Sequence, residues 1–231
     1  MDEAEFDKFA AEYREIHATN IKLSGESPEY FAEYKIADIA AELAHAGGFD
    51  RPRVLDFGAG VGYSVPFFRR RLPGARVTCL DVSRRSLEIG AAKHGDAARF
   101  THFDGRSIPY EAGDFDAALA SCVFHHIPHG EHVTLLAEIR RVLRPGGALF
   151  VFEHNPFNPL TRHAVNTCAF DENAHLVTAA VMRKRVLAAG FGSALVKYRI
   201  FFPAALRALR PLEQRLTWLP LGAQYYVLAR K

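Results

Sequence analysis

The chain has 231 residues, 49% hydrophobic and 24% charged, which is the make-up of a packed globular protein and excludes a disordered or fibrous one. At this length one α/β domain with a modest elaboration fits, and two full domains would be cramped. The formal net charge of +3 hides an asymmetry, with 12 acids against 4 bases in residues 1–50 and 7 bases against 1 acid in 196–231.

Such a split can steer an anionic substrate or meet a membrane surface, although solvated faces account for most charge runs. The acidic start MDEAEFDKF lacks the design of a secretory signal, and no apolar run approaches the roughly 18 residues needed to span a bilayer, so a cytoplasmic protein is expected. Cys79, Cys122 and Cys168 are odd in number and lack CxxC spacing. They are expected to be reduced and packed, with no disulfide framework and no cysteine-based zinc site.

Taken in chain order, residues 2–18 and 28–45 carry apolar residues at helical spacing and predict two helices, the second opened by Ser27 and Pro28. From Arg53 onward short β-rich runs alternate with helical segments, the pattern of a parallel sheet covered on both faces. RVLDF, RVTCLD, ARFTHF, FDAALAS, GALFVFE, ALVKYRIFF and QYYVLAR predict seven strands, with helices near 62–72, 84–94, 130–143 and 175–189. Between the last two strands lies a Pro-, Leu- and Arg-rich stretch with a short amphipathic segment near 203–216.

Three features carry chemistry. Val54 to Ser64 reads as a strand, a Gly-rich turn and a helix start, with glycines at 58, 60 and 62 where the backbone must bend tightly and admit a ligand. A dinucleotide fingerprint would need its third glycine at position 63, where Tyr63 stands. Asp81 ends the second strand, where a carboxylate lies beside the Gly turn and can accept both ribose hydroxyls of an adenosine. Asp104 ends the third, within reach of an adenine edge. Singly, each acid reads more readily as a helix cap or a solvated loop residue than as a ligand; at successive strand ends they read as one nucleoside site.

These motifs, VLDFGAGVG, LDVS, FDG, DFDAALASCVFHHIP and RVLRPGGALFVFE, together resemble the class I S-adenosylmethionine-dependent methyltransferases, in particular the small-molecule subgroup related to quinone-biosynthesis methyltransferases. The resemblance covers about residues 50–155. It implies a doubly wound, mostly parallel seven-stranded α/β sheet, Rossmann-like, with an antiparallel last strand. It further implies an N-terminal helical lid over 1–50 in front of a cofactor-binding unit over 51–231.

The resemblance implies S-adenosyl-L-methionine as cofactor. Asp56, Gly58, Ala59, Gly60 and Gly62 would hold its methionine portion, Asp81 the ribose with Val82 against the adenine, Asp104 and Gly105 the adenine amine, and Ser121 would pass close to the sulfur. Methyl transfer needs alignment, exclusion of water and, for a protonated nucleophile, a base. His126, after the fourth strand, is the candidate base, with pocket shaping as its alternative. Adjacent histidines on one turn rarely converge on an ion and no carboxylate completes a familiar pattern, so no metal is expected.

Tyr13, Tyr30, Tyr34 and Lys35 are candidates to cover the cofactor from the lid, although aromatic residues at helical spacing are more often core. The segment after the fifth strand, Glu153 to Arg162, emerges at the carboxyl ends of the strands and predicts an acceptor pocket with His154 as a second catalytic candidate and Asn155 and Arg162 as substrate contacts. Two Asn-Pro pairs make it a restricted loop; simple turns with a solvated Arg162 are the alternative.

The expected partner is a small-molecule acceptor. No basic and aromatic surface points to nucleic acid, and the leucines and arginines of 203–219, interrupted by Pro211, allow a membrane contact without favouring it. A cofactor-binding scaffold without activity and a nucleotide-dependent oxidoreductase are the competing functions.

Overall fold

The computed structural model describes residues 19–47, 50–168 and 171–231. The expected helix over 2–18 and Tyr13 lie outside the described residues. α1 spans Pro28–His45, and Ser27 caps it by accepting the Tyr30 amide while Pro28 fills a first-turn position whose N–H would have no partner.

The strands are β1 (Arg53–Phe57), β2 (Arg76–Asp81), β3 (Arg99–His102), β4 (Phe115–Ser121), β5 (Leu143–His154), β6 (Ser193–Arg199) and β7 (Gln224–Arg230). Between them come α2 (Val65–Arg71), α3 (Arg84–His94), α4 (His132–Val142), α5 (Pro159–Asn166), α6 (Ala179–Ala188) and the short α7 (Glu213–Leu216). The sheet order is β3-β2-β1-β4-β5-β7-β6. β1 to β5 pair in parallel, and β7 is antiparallel to both β5 and β6.

Alternation along the strands builds two apolar layers. Val54, Cys79, Leu119, Phe150 and Tyr226 face Ile36, Ile39 and Leu43 of α1 and Phe68 of α2. Leu55, Leu80, Ala118, Val151 and Val227 face Leu136 and Ile139 of α4 and Met182 and Val186 of α6. Each of the three buried α1 side chains contributes about 1.5–3 kcal/mol, enough to fix α1 on the sheet and with it the placement of Tyr34 and Lys35. Within the described residues, then, the expected lid contributes a helix that is part of the core layer.

One expectation is corrected. The segment expected as a proline-restricted loop turns into α5, because Asn158 caps it by accepting the Thr161 amide and Pro159 sits in its first turn. The amphipathic stretch is a 3₁₀ run over Ala204–Leu212 followed by α7, and it leaves Leu206, Leu209, Leu212 and Trp218 exposed. Among the described residues no helix is long and apolar enough to cross a membrane.

Candidate functional site

The strand order reverses its direction of growth between β1 and β4, and ligands of open α/β sheets bind in the crevice at such a point, outside the carboxyl ends. The turn after β1 bends there through positive φ at Gly58, Gly60 and Gly62 (69°, 53° and 73°). A Cβ on Gly58 would stand 2.5 Å from Val123 Cγ2, so the close approach of the two strand-end loops requires glycine. Beside Gly60, by contrast, a Cβ would meet nothing within 4 Å, which leaves open space along the cradle.

Asp81 ties this turn to β2. One carboxylate oxygen accepts the Gly60 amide at 2.7 Å and the other the Ser83 amide at 2.9 Å. Asp56 is buried one strand over and accepts the Ser64 hydroxyl. Burial, with Asp81 nearby, pushes the Asp56 carboxyl up to about 7 against the opposing pull of Ser64 and Lys35. Gly105 and Val82 meet: a Cβ on Gly105 would lie 3.6 Å from Val82 Cγ1. Asp104 is exposed and accepts the Arg106 and Ser107 amides at 2.8 Å each, which holds its carboxyl below the usual range. Asp56, the Gly58–Gly62 turn, Asp81, Val82, Asp104 and Gly105 thus line the ends of β1, β2 and β3 as one cradle.

A second group forms at the ends of β4, β5 and β7. Lys35 of α1, itself buried, donates to Ser121 Oγ at 2.8 Å and to Cys122 Sγ at 3.4 Å. Cys122 takes the left-handed conformation at φ 57°, uncommon for a residue with a Cβ and frequent at functional sites. Burial alone would raise its thiol, but Lys35 and then His154 outweigh it and hold Cys122 down to about 6. Desolvation opposes a charge on the half-buried His154, but Cys122 raises it. Tyr34 donates to the Gln224 side-chain oxygen, and Gln224 Nε2 comes within 3.4 Å of His154 Nδ1.

From the sequence, Cys122 is expected to pack and Lys35 to help cover the cofactor from the lid. The usable signal for Cys122 is its place next to Ser121 at a strand end, whereas the contact of Lys35 with that sulfur arises only from α1 packing.

The third group is corrected most. Phe124–His126 form a 3₁₀ turn, and His125 is buried there with its Nδ1 at 2.6 Å from Glu153, whose other oxygen accepts the Phe124 amide at 2.8 Å. Burial opposes a charge on His125, yet Glu153 raises it to about 10, whereas burial and then His125 lower His126 to about 3. A neutral imidazole that weakly basic is poorly suited to the role of general base expected for His126. The histidines were expected not to converge with a carboxylate, but Asp171 lies 3.5 Å from His125 Nε2 and 3.5 Å from His126 Nε2.

Asn155 is likewise corrected. It is buried and donates to the Pro220 carbonyl at 3.1 Å and the Gly222 carbonyl at 2.8 Å, so it ties β5 to the loop before β7 and does not face an acceptor. Replacing Asn155 with Ala is expected to cost about 1–3 kcal/mol by stranding those carbonyls, and to leave cofactor affinity unchanged. Thermal unfolding and a binding titration on the same variant check this; an unchanged melting temperature would restore a ligand role. Arg162 stands exposed on α5.

A glycine cradle, an acid at the second strand end and a seven-stranded sheet with β7 antiparallel define the fold of the class I S-adenosylmethionine-dependent methyltransferases. Residues 54–147 match the family described as "Methyltransferase domain". A demethylmenaquinone methyltransferase of Thermobifida fusca is 35% identical over 135 residues, 56% of this chain and 54% of that protein. A human thiol S-methyltransferase is 31% identical over 142 residues, 59% and 53% respectively. The chain spans about half the length of these curated relatives.

Among solved structures, a S-adenosylmethionine-dependent methyltransferase of Thermotoga maritima, described as a possible histamine N-methyltransferase, superposes with TM-score 0.68 over 99% of both chains at 19% identity, a likeness of fold. Domain family and fold together imply binding of S-adenosylmethionine.

Proposed function

We propose that the protein transfers the methyl group of S-adenosylmethionine to a small-molecule acceptor. The observation that carries this reading is the glycine cradle at the switch point with the Asp81 carboxylate bonded across it to Gly60. The cofactor supplies a carbon already activated for in-line displacement. The chain's residues bind and align: the amides of Gly58 to Gly62 and Asp56 take the methionine end, Asp81 the ribose, and Val82, Asp104 and Gly105 the adenine.

Tyr34, Lys35, Ser121, Cys122 and His154 line the acceptor side. There the Cys122 and His154 pair can take up or deliver a proton at the acceptor heteroatom, a role that suits acceptors with a protonated oxygen, nitrogen or sulfur. A screen with labelled S-adenosylmethionine over phenolic, amine, thiol and quinol acceptors tests the reading, with the product mass giving the atom methylated. Turnover of none of them together with tight cofactor binding would favour the non-catalytic alternative; NADH binding in place of the methyl donor would overturn both.

Asp56 adds a pH test. Its folded value of about 7 lies above the ordinary carboxylate value, so the cofactor-free protein carries a proton there at pH 6 and loses it as pH rises through 7. The stability this group contributes is therefore full below the ordinary value and lost as pH rises through 7. A cofactor ammonium bound beside Asp56 favours the ionised form. The affinity for S-adenosylhomocysteine is then expected to be about tenfold weaker at pH 6 than at pH 8, with about one proton released on binding at pH 6. Calorimetry in buffers of different ionisation enthalpy reads both, and a pH-independent affinity would remove Asp56 from the ammonium site.

A further inference from the structure

We propose that His125, His126 and Asp171 form a zinc site at the end of β4, with its fourth position open to the cleft beside α5. Among the described residues these three bring one ligand atom each within 4.8 Å of one another. The two imidazole Nε2 atoms stand 3.5 Å from the same Asp171 oxygen.

That distance fits ligand atoms that share one ion. A charge-assisted hydrogen bond closes to about 2.7–2.9 Å. Ligands held at about 2.0–2.1 Å around a tetrahedral zinc are instead about 3.3–3.4 Å apart, whereas an octahedral ion brings neighbouring ligands to about 3.0 Å or less. The His125 contact with Glu153, at 2.6 Å on the opposite ring nitrogen, shows how close this ring comes when a hydrogen bond is what holds it.

Glu153 also does for His125 what a carboxylate behind a zinc-bound histidine does: it holds the far ring nitrogen and fixes the ring so that Nε2 faces the ion. The remaining geometry is built from backbone. The Phe124 amide on Glu153 (2.8 Å) and the His126 amide on the Val123 carbonyl (3.1 Å) set the turn that carries both rings. The Asp171 segment is stitched to the same turn by the His175 amide on the His125 carbonyl at 2.7 Å. Two imidazoles and one carboxylate make the donor set of an open zinc site, with three protein ligands and one exchangeable position. Of the three ligands, Asp171 forms part of the wall of a cleft of about 520 Å³ lined by Val165, Cys168 and Glu172.

The site stands independently of the methyl-transfer reading and is tested without turnover. Chelator-treated protein titrated with zinc chloride in a calorimeter is expected to bind one ion per chain, with Kd of about 1 µM or tighter. Asp171→Asn and His126→Ala should each weaken it at least about tenfold, and Glu153→Gln, which keeps an acceptor for His125, by about 10- to 100-fold. His129→Ala should leave it unchanged, because His129 is exposed and its ring sits against those of His132 and His175.

Cobalt(II) in the unmodified protein avoids any folding defect of the variants and should give the intense visible bands of four-coordination. No stoichiometric binding, binding insensitive to Asp171→Asn, loss with His129→Ala, or a pale six-coordinate cobalt spectrum overturns the proposal. A titration of each protein with S-adenosylhomocysteine separates the two readings: failure there, with zinc bound, removes the methyl donor and leaves the metal site.

Discussion

Asp81→Ala is expected to weaken binding of S-adenosylhomocysteine by about 2–3 kcal/mol, or about 30- to 150-fold in Kd. Two effects combine. The ribose hydroxyls lose a charged acceptor, and the Gly60 amide, held at 2.7 Å, loses the partner that fixes the turn. Asp81→Asn separates them: it keeps an oxygen for Gly60 and removes the charge, so it should fall between the other two proteins. Calorimetry with a parallel thermal melt makes the comparison. Unchanged affinity in Asp81→Ala would falsify the ribose assignment whatever the melt shows.

The Cys122 thiol is expected to titrate about three units below an ordinary cysteine, with alkylation by iodoacetamide half-maximal at about pH 6 and flat above about pH 7. An ordinary thiol would keep gaining rate through pH 8 and 9. The profile matters more than the absolute rate, because a thiolate of low basicity is also a weaker nucleophile. Lys35→Met removes a cation 3.4 Å from the sulfur, and the midpoint should move upward. A Cys168→Ser background leaves Cys122 as the reacting site, since Cys79 is buried, and peptide mass spectrometry locates the label. A midpoint near that of a free thiol, or one indifferent to Lys35→Met, would show that lysine and sulfur are not coupled.

The strands and the cofactor cradle were legible because both are local. RVLDF, RVTCLD and QYYVLAR each form a strand with the bounds their sequence suggests, and the glycines at 58, 60 and 62 all require the positive φ that their spacing announced. α5 was missed because an Asn-Pro pair serves a turn and a helix start equally well, and only the Thr161 amide on Asn158 decides between them. Asn155 was misassigned because its partners, the carbonyls of Pro220 and Gly222, lie more than 60 residues away. Asp171 was invisible for the same reason: a carboxylate 45 residues past two histidines carries no spacing signal until the chain folds over α5.

β7 lies between β5 and β6, antiparallel to both, and this order governs the time course of assembly as well as the final pairing. β6 has no other neighbour in the sheet, so during synthesis it emerges before the strand that can receive it. Until residues 224–230 have left the ribosome, β5 presents an open edge and β6 stays unpaired, a state exposed to wrong pairing with other chains. The parallel half, β1 to β4, can close first, while the half that carries His154 and Gln224 of the acceptor side must wait for the final strand.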